Sequence, residues 1–126
     1  MRIEVTRVFD ITVLRLEGQF TKEIDLGVQL DPLKKKNALK VLINFENVEY
    51  INSSCFRSLA RLHQVVVGNG GEMRLCSIRS DVLNIFSVAN LDRGYHIYSD
   101  EDEGVISFYN SFPAKRSIPM EIIYSG

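Results

Sequence analysis

Hydrophobic and polar residues mostly alternate along the first part of the chain, which is the pattern of strands that bury one face. Two such runs are separated by Phe9 and Asp10, so we predict an opening β-hairpin that turns at these residues. Gly18 is expected to end the second strand. The apolar positions of this hairpin are Ile3, Val5, Ile11, Val13, Leu14 and Leu16.

The apolar spacing lengthens after the hairpin. Ile24, Val28 and Leu33 recur as they would on one face of a helix, and Thr21 is placed to cap its start. The lysines at positions 34–36 follow this segment. They are more typical of a helix C-terminus, where the helix dipole favours positive charge, than of a phosphate site.

The centre of the chain predicts a buried strand followed by a long helix. Lys40–Phe45 is almost continuously apolar and β-branched, as expected of a central strand covered on both faces. A short connection at 46–49 leads to a helix that begins near Ser53 and ends at the glycine-rich segment 68–71. Its helix-spaced positions are Phe56, Leu59, Ala60, Leu62, His63, Val66 and Val67.

A further strand and helix follow the glycine-rich segment. Met73, Leu75 and Ile78 belong to the strand, and Ser80 is placed to cap the helix. A short aromatic strand is then predicted at 95–98. The apolar positions of this helix are Val82, Leu83, Ile85, Phe86, Val88 and Leu91.

The acidic run after this strand predicts a last helix. Ser99 and Asp102 have the spacing of a capping box, in which each side chain satisfies a backbone N–H of the first turn. Negative charge at 100–103 also complements the positive end of the helix dipole. We therefore expect a helix through Phe108, and favour this structural role over an acidic partner-binding segment.

The order of elements predicts an α/β fold. A strand pair followed by alternating helices and strands implies right-handed βαβ crossovers and a mixed sheet, with about four helices mainly on one face. The 126 residues suffice for one domain and are too few for two ordinary ones. We assign this domain to residues 1–109. Residues 110–126 form a C-terminal extension, interpreted as either an edge strand or a partner-binding tail.

Charge and hydropathy narrow the partner classes. With 15 basic and 16 acidic residues the net charge is −1, so the chain has no broad positive field for a polyanion. This argues against nucleic acid and favours a protein partner. No apolar run is long enough to span a membrane, and polar residues interrupt the N-terminus where a signal segment would lie. We expect a cytoplasmic protein that does not bind membranes.

The sequence offers little support for catalysis or for a bound cofactor. Cys55 and Cys76 are the only cysteines, and neither belongs to a closely spaced zinc-binding set. His63 and His96 have no acid or thiol at the spacing of a triad or metal site. No nucleotide-binding glycine motif occurs. We therefore expect no catalytic residue, no metal and no cofactor, and an enzyme is the least supported class.

The junction between the central strand and the long helix carries the candidate chemistry. The first backbone N–H groups of a helix have no partner within the helix, so a serine hydroxyl can cap them and a phosphate is favoured there. Ser53 and Ser54 lie at this point. A serine pair at a helix start needs no function beyond capping. Cys55 would be a candidate redox sensor only if its thiol were exposed.

Several segments in register resemble the STAS domain family and, more narrowly, the bacterial anti-sigma factor antagonists. The resemblance covers about residues 3–109, and its most specific part is the serine motif. Asn52 stands where many members have Asp, and Cys55 stands where Gly is usual. The segments are Leu14–Gly18, Val41–Phe45, Tyr50–Ser54, Gly70–Met73 and Val82–Phe86.

The resemblance implies a phosphorylation switch at Ser53. In the family, the first serine of the pair is phosphorylated by a partner that is both an anti-sigma factor and an ATP-dependent serine kinase, and a serine phosphatase reverses the reaction. The unphosphorylated protein binds the anti-sigma factor and thereby frees the sigma factor for transcription. The implied partner-binding residues are Asn52, Ser53, Ser54, Cys55 and Phe56.

A second function remains open on the same fold. The chain would then be a scaffold or ligand-responsive interaction module in a larger signalling assembly. Ser53 would stay unmodified, and the extension after Tyr109 would supply contacts. Asn52, Cys55 and this extension motivate the alternative.

Overall fold

The computed structural model describes residues 1–33, 38–91 and 94–109, with only the backbone described at 31–33. The strands are β1 (Arg2–Val8), β2 (Ile11–Phe20), β3 (Lys40–Ile51), β4 (Glu72–Cys76) and β5 (Ile97–Tyr98). The α-helices are α1 (Ser53–Gly68), α2 (Ser80–Val88) and α3 (Glu101–Ser107), and Leu26–Leu33 forms a 3₁₀ helix.

The strands form one mixed sheet in the order β1-β2-β3-β4-β5. β1 and β2 are antiparallel, and Val8 pairs with Ile11, so Phe9 and Asp10 form the predicted turn. The pairs β2–β3, β3–β4 and β4–β5 are parallel. The predicted α/β fold with a mixed sheet is confirmed.

Helices cover both faces of the sheet unequally. α1, α2 and the 3₁₀ helix pack on one face, where the larger core cluster lies. The short helix α3 packs on the other face, over a small cluster that includes Leu42, Cys76 and Val105. Val41, Leu42 and Ile43 of β3 are all fully buried, which confirms a central strand covered on both sides. About four helices were expected, and the described residues form three α-helices and one 3₁₀ helix.

The predicted helix from Thr21 is wrong. Residues 21–25 form no helix, and regular structure begins only at Leu26 as a 3₁₀ helix. The Ile24 N–H donates to Ser58 Oγ at 2.9 Å, and the Gly27 N–H donates to Asp25 Oδ1 at 3.0 Å. Such side-chain acceptors compete with helical hydrogen bonding. The lysine cluster at 34–36 lies outside the described residues.

Strands β2 and β3 are both longer than predicted. β2 passes Gly18, which adopts φ 108° beside a register shift in the pairing with β3. β3 passes the predicted connection at 46–49 and continues to Ile51. Val48 and Ile51 are buried and pair with β2, which stabilises the extension. Since β4 ends at Cys76, opposite Asn44, the last part of β3 extends past β4 and pairs with β2 alone.

Other predicted boundaries shift by a few residues. Ile78 lies outside β4, and the strand predicted at 95–98 is formed only by Ile97–Tyr98. Ser80 is the first residue of α2 and not its cap; Arg79 is the N-cap and makes no side-chain capping bond. Residues 110–126 lie outside the described residues, so the domain boundary after 109 stays a prediction.

The side-chain cap of α3 lies one residue after its predicted position. Asp100 is the N-cap, and its Oδ1 accepts from the Glu103 N–H at 2.8 Å. Ser99 Oγ donates to Glu103 Oε2 at 2.6 Å. The acidic run therefore has the structural role that the sequence indicated, with Asp100 in place of Ser99 as the N-cap.

A salt bridge fixes the start of α3 to the sheet. Arg15 donates from Nε and Nη2 to the two carboxylate oxygens of Glu101, at 2.9 and 2.8 Å, and from Nη1 to Glu4. Asn44 Nδ2 donates to Glu101 at 3.0 Å. The hydrogen bond from Arg15, followed by that from Asn44, lowers the pKa of the Glu101 carboxyl group. The negative form of Glu101 is thus preferred in the folded protein.

We expect Glu101→Gln to lower the free energy of unfolding by about 1–2 kcal/mol at pH 7, because a charged hydrogen-bonded pair is lost. A lowered pKa in the folded state stabilises the fold above the unfolded-state pKa, and this contribution is lost as the pH falls through the folded-state pKa. The difference between the two proteins should therefore shrink below about pH 4. Urea unfolding over a pH series measures it.

Asp102→Asn is the matched control, since it removes an exposed carboxylate from the same helical turn. This variant removes a charge that interacts with the helix dipole but leaves the contact with Arg15 in place. We expect the free energy of unfolding to change by less than about 0.5 kcal/mol. If Glu101→Gln changed stability equally at low and neutral pH, the ionised salt bridge would not be its cause.

Candidate functional site

The turn from β3 into α1 is capped by Asn52. Its backbone is extended, with φ −136° and ψ −169°, and its Oδ1 accepts from the Ser54 N–H at 2.9 Å. The Asn52 carbonyl also accepts from the Cys55 N–H at 3.0 Å. The expected serine cap is therefore wrong, because Ser53 and Ser54 are already helical and the residue before them satisfies the first turn.

The serine pair occupies the first turn of α1. Ser53 is exposed, and Ser54 is half-buried with its Oγ 3.4 Å from Arg57 Nη2. Since Asn52 supplies the side-chain cap, the start of the helix does not depend on the Ser53 hydroxyl. A group attached to Ser53 Oγ can thus reach solvent without removing the cap.

Two side chains hold the segment after β2 against this turn. Asn52 Nδ2 donates to the Thr21 carbonyl at 3.2 Å. Ser58, which is fully buried, accepts from the Ile24 N–H and donates to the Ser54 carbonyl, both at 2.9 Å. Sequence reasoning missed Ser58. Its position on the apolar stripe of α1, beside Leu59, is the signal that could have identified a buried hydroxyl.

Cys55 and Phe56 face inward. Cys55 is fully buried, and burial raises the pKa of its thiol to about 12, so the exposure that a redox sensor needs is not met. Its side chain is not on the surface where a partner could touch it. Phe56 is half-buried, with its ring centroid 5.1 Å from that of Phe86 in an edge-to-face arrangement. The accessible part of the predicted contact set is therefore Asn52, Ser53 and Ser54, together with the half-buried Phe56.

An exposed charged cluster lies beside the serine pair. Glu23 Oε2 is 3.5 Å from Arg57 Nε, and Glu23 Oε1 is 3.2 Å from Arg61 Nη2. Sequence reasoning missed this cluster. The spacing of Arg57 and Arg61, four residues apart on the polar face of α1, indicates that they are neighbours, but it does not identify Glu23 as their partner.

The described residues offer no clear alternative site near Ser53. No group of three or more His, Cys, Asp or Glu side chains within them is placed to hold a metal ion. A surface depression of about 480 Å³ is lined by Phe9, Asp10 and Tyr109. Asp10 bonds to Lys40, the first residue of β3, whereas Ser53 follows the end of that strand. The depression and Ser53 are thus at opposite ends of β3.

The chain belongs to the STAS domain family, whose model matches residues 2–104. This match spans all of the strands and most of α3, so it includes the β3–α1 turn. A search of curated proteins returned no significant match. Across the described residues, no helix has the length and apolar character needed to cross a membrane.

Solved structures share the fold at low sequence identity. A protein described as a candidate anti-sigma factor antagonist from Thermotoga maritima is 21% identical, with a TM-score of 0.72 over 86% of this chain and 95% of that one. An anti-sigma-factor antagonist (STAS) domain protein from Planctomyces limnophilus is 21% identical, with a TM-score of 0.67 over 86% and 98%. The anti-sigma factor antagonist SpoIIAA in its unphosphorylated form is 14% identical, with a TM-score of 0.56 over 88% and 100%.

The two contacts of Asn52 can be separated by substitution. We expect Asn52→Ala to lower the free energy of unfolding by about 1–2 kcal/mol, because the helix cap is lost. Asn52→Asp keeps an acceptor for the Ser54 N–H but cannot donate to the Thr21 carbonyl. The aspartate variant should therefore protect the Ser54 amide from hydrogen exchange as the parent does, while the Ile24 amide exchanges faster.

Ser58→Ala provides the comparison, because it removes the acceptor of the Ile24 N–H directly. Exchange at Ile24 should be fastest in this variant. An unchanged rate at Ile24 in Asn52→Asp would show that the bond to Thr21 does not hold this segment.

Proposed function

We propose that this protein is an anti-sigma factor antagonist whose switch is Ser53. In the unphosphorylated state it binds an anti-sigma factor that has serine-kinase activity, and phosphorylation of Ser53 releases that partner. A serine phosphatase restores binding. Sigma-factor-dependent transcription is controlled through this cycle. The observation that carries the proposal is the exposed position of Ser53 on the first turn of a helix that Asn52 caps independently.

The position of the turn suits docking and modification. β3 extends beyond β4 before α1 begins, so Ser53 follows a two-stranded extension of the sheet. A kinase needs access to the serine hydroxyl, and the exposure of Ser53 provides it. The shared fold with proteins described as anti-sigma factor antagonists supports the same assignment.

A phosphate at this position changes the contact surface electrostatically. It adds a charge of about −1.5 to −2 and three acceptor oxygens at neutral pH. The proposed contact surface comprises Asn52, Ser53 and Ser54 with the half-buried Phe56, while Cys55 supports it from the core. Within a packed interface the added charge must be desolvated or repelled, so binding weakens without refolding.

The protein acts in this proposal as a cytoplasmic binding module. The kinase partner supplies the nucleotide, so the chain itself needs neither a cofactor nor a metal. Direct contact with nucleic acid or a membrane is not part of the mechanism. The regulatory effect arises because the anti-sigma factor cannot hold both this protein and its sigma factor.

The direct test mixes the purified protein with the serine-kinase anti-sigma factors of its own cell and ATP. We expect one of them to form a complex without ATP and to add one phosphate at Ser53, located by peptide mass spectrometry. Ser53→Ala should still form the complex but gain no mass. Ser54→Ala should remain a substrate, which controls for the neighbouring hydroxyl.

Two outcomes would contradict the proposal. Absence of both a complex and a mass gain with every candidate kinase would reject it. If Ser53→Ala left the cellular response unchanged while deletion of residues 110–126 abolished assembly, the scaffold or ligand-responsive module would replace it.

A further inference from the structure

Arg57 lies within reach of Ser53 although it is paired elsewhere. The two residues are four apart on α1, a spacing that places their side chains on the same face of the helix. Arg57 Nη2 lies 3.4 Å from Ser54 Oγ, so the guanidinium group is directed back toward the first turn. A phosphate on Ser53 would extend from the same turn toward this group.

Breaking the contact between Arg57 and Glu23 costs little free energy. Glu23 contacts Arg61 at 3.2 Å and Arg57 at the longer distance of 3.5 Å. All three side chains are well exposed, with relative accessibilities between 40% and 58%. Exposed pairs of this kind contribute little to stability. If Arg57 moved away, Glu23 would keep its contact with Arg61.

A phosphate is the stronger acceptor for Arg57. It carries about twice the charge of a carboxylate and offers three oxygens to the guanidinium donors. An acidic group four residues before a basic one is also the favoured orientation on a helix, because each charge lies nearer the complementary end of the dipole. Geometry and charge therefore both favour exchange of the partner.

We propose that Arg57 is the internal counter-ion of phosphorylated Ser53, and that it exchanges Glu23 for the phosphate when the serine is modified. This inference rests on the proposed function and adds an internal response to it. Glu23 belongs to the segment after β2 that Asn52 and Ser58 hold against α1. The modification thus changes the charge pairing of this segment as well as the serine itself.

The test uses protein prepared with phosphoserine at position 53 by genetic code expansion, so it needs no kinase. The phosphate is titrated by ³¹P NMR at about 0.15 M salt. Since a cation close to a phosphate favours the dianion, Arg57→Gln should raise the titration midpoint by about half a pH unit, as expected for an exposed charge contact. The backbone amide spectrum verifies that each variant is folded.

Arg61→Gln is the matched control because it removes the same charge one turn further along α1. The backbone positions of Arg61 and Ser53 are about 12 Å apart along the helix axis. The Arg61 guanidinium group donates to Glu23, and Ser54 Oγ accepts from Arg57 instead. We expect its midpoint to remain within about 0.2 pH unit of the parent phosphoprotein. The difference between the two variants isolates the contact from the general loss of positive charge.

Two results would overturn the counter-ion assignment. One is a titration midpoint in Arg57→Gln equal to that of the parent phosphoprotein, and the other is an equal increase in both arginine variants. Phosphorylation by the partner could still release it in that case, and the proposed function would stand. Conversely, a midpoint shift specific to Arg57 in a protein that no anti-sigma factor modifies would support the charge contact while the proposed function failed.

Discussion

Gly71→Ala is expected to lower the free energy of unfolding by about 3 kcal/mol or more, the upper part of the range for overpacking substitutions. A Cβ atom on Gly71 would lie 2.8 Å from the Leu39 nitrogen and 2.9 Å from its carbonyl carbon, and closer still to the carbonyl oxygen. These atoms belong to the backbone leading into β3, which cannot rotate away as a side chain would. The same carbonyl accepts from the Glu72 N–H at 2.8 Å. Urea unfolding of both proteins measures the loss.

The neighbouring glycines supply graded controls. A Cβ on Gly68 would meet nothing within 4 Å, and this residue ends α1, so Gly68→Ala should raise stability by about 0.5 kcal/mol. Gly70 is also uncrowded but has φ 74°, so Gly70→Ala should cost about 1 kcal/mol through backbone strain alone. If Gly71→Ala cost no more than Gly70→Ala, the contact with Leu39 would not explain the need for glycine.

This glycine segment shows what a sequence pattern can and cannot predict. The end of α1 at 68–71 was predicted from composition, because glycine commonly ends helices, and the prediction is confirmed. The distinction between the three glycines depends on tertiary contacts. Only the structure places Gly71 against Leu39, a residue more than thirty positions earlier in the chain.

The same division applies to the fold. The nearly continuous apolar character of Lys40–Phe45 correctly predicts a strand buried on both faces, because consecutive apolar residues leave no face for solvent. The continuation of β3 to Ile51 was missed, since Glu46 and Glu49 look like loop residues. Both side chains are exposed, and this part of β3 is held in the sheet by its pairing with β2. The helix predicted from Thr21 failed for a related reason, because Ser58 supplies a distant acceptor to Ile24.

At the candidate site, the sequence predicts the strand-to-helix junction but not which residue caps the helix or which is buried. The pattern placed Ser53 at a strand-to-helix turn, and the structure confirms that location. It did not show that Asn52 caps the helix or that Cys55 is buried. The two departures from the usual motif therefore have different structural roles. Asn52 bonds to Thr21 through an amide donor that Asp lacks, and Cys55 fills core space.

Ser53→Asp is expected to weaken binding to the proposed anti-sigma factor partner about thirtyfold or more, because the proposed contact surface includes Ser53. A charge that is desolvated between two proteins costs about 2–5 kcal/mol, and each change of about 1.4 kcal/mol is a factor of ten in affinity. Ser53→Ala adds no charge and should bind within about threefold of the parent, since burial of one exposed hydroxyl has a small net effect. Phosphoserine at position 53 should weaken binding more than Asp, because it carries more charge. Calorimetric titration with the partner in the absence of ATP gives the affinities.

The control must add one negative charge elsewhere without changing the fold. Asn90→Asp does so, because the two side chains have the same shape and both tolerate the φ of 59° found at this exposed residue after α2. α1 and α2 each follow one of the parallel strands β3 and β4 and start beyond its C-terminal end, so Asn90, after the end of α2, lies toward the opposite ends of the strands from Ser53. Charges separated by more than about 8 Å are largely screened, and binding should change less than about twofold.

If Asn90→Asp weakened binding as much as Ser53→Asp, general repulsion by the partner would be the cause. If Ser53→Asp bound as tightly as the parent, Ser53 would lie outside the contact surface, and its phosphorylation could not act by the local mechanism proposed here.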